Sequence, residues 1–302
     1  MKTVNALIRR NIKLFFKDKG LFFTSLITPL ILLVLYSTFL GNVYKDSFML
    51  TIPEGLGLDV SDIIDGCVGG QLMSSLLAVS CITVAFCSNM LMVQDKVSGA
   101  YNDISVTPVK HTHVAVSYYV ATLAVTLIIN LVALAACLIY ISFIGWYLSA
   151  ADVMLLVLDI VIMVMFGTAL SSVIGFFLSS QGQISAVGSI VSSCYGFICG
   201  AYMPISSFSE GLQNIIAFLP GTYGTSLFRN HSMRGAMQAL EDAGLPESAV
   251  EGMRDAIDCN IYFFDSKVEI GTMFAIVIST VTALMLGYVL LNKFKGGKAK
   301  AK

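Results

Sequence analysis

Few side chains in this chain could do chemistry, and Asp159 is the most conspicuous of them. It lies seven residues into an apolar run that opens at Asp152, roughly 10 Å deep at about 1.5 Å per helical residue. A carboxylate at that depth is costly, and its chemistry would be proton carriage or contact with a cationic group. The plainer alternative is a carboxylate paired with a neighbour or wetted from the near face. His111-Thr112-His113 is too short and isolated to make a metal site without a third ligand, and it reads as an interfacial pair beside lipid phosphates. No Ser-His-Asp grouping is evident, and no Gly-x-x-x-x-Gly-Lys-[Ser/Thr] run is present to bind ATP. No catalytic residue and no metal site are assigned.

The other concentration of polar groups is residues 94–113, QDKVSGAYNDISVTPVKHTH, between two long apolar runs. Pro108 disfavours helix for the residue before it, so a short helix is expected over 96–105, stopping at Thr107-Pro108. A polar helix held between two membrane helices is built to receive force from a soluble partner; an ordinary solvated loop is the alternative. The residues singled out for such contact are Asp95, Lys96, Ser98, Gly99, Tyr101, Asp103, Thr107 and Pro108. Gln181 and Gln183, in a short uncharged turn expected on the same side, would add a smaller contact.

The elements that must position these groups are membrane elements. The 302 residues are 56% hydrophobic and 12% charged, with a mean hydropathy of +0.82. Soluble domains carry about twice that charged fraction. No basic tract with interleaved aromatics is present, which argues against nucleic acid as a partner. The seven cysteines have no CxxC pair or zinc spacing. Most are read as small core residues, while Cys67 and Cys259 fall in segments placed outside, where a disulfide between them is an open alternative.

In chain order, residues 3–19 place Val4, Leu7, Ile8, Ile12, Phe15 and Phe16 on one helical face and Arg9, Arg10, Lys13 and Lys17 on the other. That pattern predicts an amphipathic helix in the lipid headgroup layer, or else a basic tail that only sets topology. The N-terminus lacks a short apolar core ending in a cleavage site, so the first apolar run is expected to stay as an anchor. Spans are predicted over 21–40, 66–93, 114–143, 152–180, 184–202 and 270–291, judged against about 30 Å of hydrocarbon. Ser149 with Asp152 and Ser207 with Glu210 are spaced as capping boxes. After Pro204 comes a helix over 208–219, too short to cross, then Pro220-Gly221 and a short piece over 222–229. Residues 204–229 therefore read as re-entrant helices, and the acidic segment 230–269 as an outside cap with a helix from Pro246 to about Asp258.

Six spans put both termini on one side with residues 94–113. That side carries thirteen of the eighteen Lys and Arg residues, which places it in the cytoplasm.

Asp95, Gly99, Ala100, Ile104, Thr107 and Pro108 resemble the E-x-x-x-G-T…TP loop of ABC-2 type exporter permeases, with Asp for the usual Glu and Ala100 for the usual Thr. Pro204, Pro220, Tyr223 and Arg229 stand where that family has the end of its fifth span and the paired short helices that follow, although Gly221 occupies a place often apolar. The amphipathic opening helix and the span order are similar too, so the resemblance covers nearly the whole chain. It implies an all-α membrane domain of six spans with an elbow helix at 3–19, a coupling loop at 94–113 and an extracellular gate at Pro204, Pro220, Tyr223 and Arg229. It further implies a bacterial cell-membrane protein that pairs with a second permease subunit, homo- or heteromeric, and with two separate ATP-binding subunits holding ATP and Mg. In the family the second and fifth spans line the dimer interface. The candidate path here is Ser80, Thr83, Phe86 and Asn89 with Ser192, Tyr195 and Phe197.

The function implied is ATP-driven export. The few aromatics on the second span lean toward an amphiphilic or hydrophobic substrate such as a drug, peptide or lipid-like compound. Two rivals stay open: a proton-coupled secondary transporter using Asp159, which would predict inverted repeats not seen here, and a membrane sensor that binds a ligand at its outside cap.

Overall fold

A computed structural model describes residues 2–52, 60–264 and 266–299, and the protein is mostly helical. Helices α1 (Lys2–Lys17) and α2 (Lys19–Leu35) are joined at Asp18, whose carboxylate caps α2 by accepting from Leu21 N–H. A π-turn over Tyr36–Leu40 carries the chain into α3 (Gly41–Thr51). Residues 41–65, which separate the first two predicted spans, are thus helical at their start, and 53–59 lie outside the described residues. Then follow α4 (Ser61–Ser98), α5 (Ala100–Ser105), α6 (His111–Ile144), α7 (Ala150–Phe177) and α8 (Gln181–Ile198).

Helix α4 is the axis of the molecule. Its 38 residues make about 57 Å, well beyond a hydrocarbon core, so both ends project. It packs on α2, α6, α7, α8 and α10, and 94% of its most apolar window is buried inside the protein. Small residues permit this close wrapping: a Cβ on Gly167 of α7 would collide with the Cys81 carbonyl of α4 at 2.8 Å. Ser149 and Asp152 form the expected capping box on α7, and Ser180 with Gln183 forms another on α8.

Beyond α8 the structure departs from expectation. A 3₁₀ turn (Ile205–Ser207) precedes α9 (Glu210–Ile216), which has seven residues rather than a dozen. Its N-cap is Ser209, with no side-chain cap bond, so Ser207 and Glu210 do not form a capping box. The turn is held instead by distant and local partners: Ile205 N–H donates to Asp258 Oδ2 at 2.8 Å, and Gln213 Nε2 donates to the Phe208 carbonyl at 2.8 Å. The piece expected over 222–229 is the first third of α10 (Pro220–Asp242), a 23-residue helix with Pro at its first turn. Met233, Ala236, Met237 and Leu240 are buried against Ile64 and Cys67, so this part of the acidic segment is core rather than cap. Past it, α11 (Glu247–Ala256) follows Pro246 as expected, then a hairpin of β1 (Ile261–Phe263) and β2 (Ser266–Val268), with Ile261 opposite Val268. The chain ends in α12 (Ile270–Ala299).

Five stretches among the described residues are long and apolar enough to cross a membrane: Lys19–Leu50, Ser61–Ser98, His111–Ile144, Ala150–Phe177 and Ile270–Lys293. Helix α8, expected as a sixth, has only 18 residues and is diluted by Gln, Ser and Gly.

Candidate functional site

At the C-terminal end of α4 two adjacent charges are fixed in opposite directions. Asp95 is buried and accepts from Arg10 of α1 through both oxygens, at 2.7 and 3.2 Å, and from the Tyr118 hydroxyl of α6 at 2.5 Å. Two-pronged pairing of this kind fixes geometry as well as charge. The hydrogen bond to Asp95 raises the Arg10 guanidinium still further above its ordinary value. Lys96 Nζ donates to the carbonyls of Gly175, Phe176 and Leu178 at 2.8, 3.2 and 3.4 Å, where α7 ends. A cation there satisfies carbonyls left without helical partners. Thus α1, α6 and α7 are all tied to one turn of α4.

Gly99 then breaks the helix. Its φ of +87° lies in the left-handed region, and a Cβ there would meet nothing within 4 Å. The single helix expected over 96–105 is therefore two pieces: Lys96 and Ser98 end α4, and α5 begins at Ala100. Inward, Tyr101 and Ile104 pack on Met92, Val93, Val114, Tyr118 and Ile184, with the Tyr101 and Tyr118 rings stacked at 6.4 Å. Outward, Asn102, Asp103, Thr107 and Pro108 are exposed, and Val106 is 84% exposed. Ile184 brings the start of α8 to the same cluster; Gln181 is exposed there, while Gln183 is spent on capping, its Oε1 accepting from Ser179 N–H at 2.8 Å.

The path residues on α4 are enclosed. Ser80, Thr83, Phe86 and Asn89 are all buried; Thr83 donates to the Val79 carbonyl and Asn89 to the Ser171 carbonyl of α7. Only a void of about 20 Å³ lies between Phe86, Asn89 and α8. The α8 residues differ: Phe197 is exposed, Ser192 half-buried, and Tyr195 half-buried with an enclosed hydroxyl. The exposed side of this short helix also carries Ser189, Ile190, Ser193 and Cys194.

At the opposite end of α4, Arg229 of α10 is wholly buried. It donates to Asp258 Oδ2 at 3.0 Å and to the Gly200 carbonyl at the end of α8. Asp258 has a φ of +53° and also holds the turn after Pro204 through Ile205 N–H. Burial raises its carboxyl from the usual range, against the pull of Arg229. Tyr223 hydrogen-bonds the Ala217 carbonyl at 2.5 Å, and Pro220 opens α10. So Asp258, which sequence reasoning did not single out, fastens Arg229 to the turn after Pro204, while Pro220 and Tyr223 hold the connection from α9 into α10. An acid within an acidic segment carries no local sign that it is the buried one.

Asp159 is paired rather than wetted: its Oδ2 lies 2.6 Å from Nδ1 of His231 on α10, in the core, and the imidazole stacks on Phe274 of α12 at 6.0 Å. Cys67 and Cys259 are free thiols buried in one cluster. Among protein families, the one described as ABC-2 type transporter has a model that matches residues 2–231, from α1 to the middle of α10. No curated protein matches the chain.

Proposed function

This chain belongs to the ABC-2 type transporter family, and on that premise we propose that it is the permease subunit of an ATP-driven exporter. The observation that carries this reading is the corner at Gly99, where a short helix offers an exposed tip while its base is tied to α1, α6 and α7. A soluble ATP-binding subunit would seat on Asp103, Val106, Thr107 and Pro108, with Gln181 beside them. Closure of two such subunits on ATP and Mg²⁺ would push this tip. Asp95 and Lys96 would then pass the movement to α1, α6 and α7 instead of touching the partner.

Positive-inside asymmetry supports a topology with both termini and α5 in the cytoplasm of a cell membrane. In it, α8 would be a sixth crossing, α1 the interfacial elbow, and α9 with the start of α10 the re-entrant pair. Two permease subunits would meet along the outward side of α8, and an amphiphilic or hydrophobic substrate would pass there, with Ser192 and Phe197 nearest. The α4 residues Ser80, Thr83, Phe86 and Asn89 would act by positioning α7 and α8.

The test is a pull-down of the subunit from detergent-solubilised membranes of its own cells, read for P-loop ATPases by mass spectrometry. The wild type should retain one, and Asp103→Arg with Val106→Asp should lose it while eluting as a normally folded protein. Absence of any P-loop ATPase with the wild type would overturn the reading. One observation favours a second reading, proton-coupled transport: the buried Asp159–His231 pair. That reading would gain if transport by vesicles followed an imposed pH gradient without ATP.

A further inference from the structure

At the α11 end of the molecule the hairpin leans over a groove of about 540 Å³ between itself, α9, α10 and α12. Its walls are aromatic. Phe218 and Phe263 line it and contact one another edge-on with centroids 5.1 Å apart, and Phe218 is 64% exposed. Tyr223 lines the groove from α10 with its hydroxyl already engaged. The groove is polarised along its length. Lys267 and Glu269 stand at one end, ahead of α12, whereas Ile276 lies six residues into that helix, about 9 Å further along.

We propose that this groove binds a zwitterionic phospholipid, with one acyl chain along Phe218, Tyr223 and Ile276 and the headgroup at the Lys267–Glu269 rim. Two observations select this occupant. The groove is continuous with the lipid-facing side of a spanning helix, since Ser279 and Leu286, on the same face of α12 as Thr272 and Ile276, are also exposed. Its charged rim has both signs: Lys267 shares Glu251 in an ion pair whose members are 47% and 44% exposed, which leaves ammonium donors for a phosphate, and Glu269 is exposed to accept a headgroup ammonium. Aromatic rings at the level where a span meets its interface suit the boundary between headgroup and chain. On the topology proposed above, this is an outer-leaflet site. It needs only that α12 spans the bilayer, and stands or falls independently of ATP coupling.

Native mass spectrometry of the detergent-purified protein with an equimolar mixture of phosphatidylethanolamine and phosphatidylglycerol tests it. One phosphatidylethanolamine per subunit should survive activation that strips the remainder. Thr272→Trp, which fills the groove from an exposed position, should lower that occupancy about tenfold. Glu269→Lys, confined to the rim, should abolish the headgroup preference, because Glu269 is the group that accepts the ammonium. Equal lipid retention by wild type and Thr272→Trp would overturn the proposal, as would retention without headgroup preference, the mark of adventitious lipid only. A changed subunit stoichiometry for Thr272→Trp with lipid unaltered would give the groove to a second copy of the chain and overturn it equally.

Discussion

Arg229 and Asp258 are asymmetric to mutation. Replacing Arg229 by Met leaves a buried carboxylate without its cation, at a cost of about 3–5 kcal/mol. Asn at 258 tolerates the left-handed backbone and can still accept from Ile205 N–H, so Asp258→Asn in the Arg229→Met background should recover part of that loss. Thermal unfolding of the two variants in detergent checks the order. A neighbouring group gives a pH dependence. Burial pushes the Cys259 thiol up to about 12. Since the folded value is above the unfolded one of about 8.5, the contribution is intact below pH 8.5. It is lost as pH rises toward the folded value, at about 1.4 kcal/mol per unit. Cys259→Ala should therefore flatten the fall in Tm between pH 8.5 and 10.5. Arg229 was marked in the sequence only by the family pattern it shares with Pro220 and Tyr223, and its partner is 29 residues on among other acids, where nothing local distinguishes it.

Among the elements, the Gly99 corner makes a sharp prediction, because the left-handed backbone is its only constraint. Gly99→Ala should cost about 1–2 kcal/mol of backbone strain without any clash. It should weaken substrate-stimulated ATP hydrolysis in the reconstituted transporter while leaving ATPase binding intact; Gly99→Asn should fall between it and the wild type. The polar loop, the Thr-Pro stop and the Ser149–Asp152 capping box were readable from local chemistry, whereas the Ser180–Gln183 box was not singled out. Two further features were not readable. Asp95 and Lys96 look like surface charges, yet their partners come from α1, α6 and α7. Helix α10 looked like a short piece and a cap because Asn230, His231, Ser232 and Arg234 are polar; each is satisfied across the fold, by the Cys259 carbonyl, Asp159, the Gly70 carbonyl and Asp152. Non-local pairing of this kind leaves no periodic trace.

For the whole molecule, the burial of α4 shifts the proposed dimer contact onto α8, whose outward side mixes small residues with Ile190 and Phe197. Cys194 lies on that side and is exposed. Mild oxidation of membranes should yield a disulfide-linked dimer, and Cys194→Ala should abolish it, as read on non-reducing gels. The membrane class, five of the six expected spans and the family resemblance were available from composition and order. That the second span is wrapped on every side was not, because its hydropathy is the same whether its neighbours are helices or lipid.

The enclosure of α4 also bears on how the protein is made. Helices emerge from the ribosome in order, so α4 enters the bilayer with Gln71, Ser74 and Asn89 before α7 and α10 exist to cover them. The Ser232 hydroxyl that meets the Gly70 carbonyl is synthesised 162 residues later. Until then a nascent chain holds a polar-studded helix in contact with lipid or with an insertion factor. Chains that stall before α10 would display that helix, a recognition mark for membrane quality control that the completed subunit has hidden.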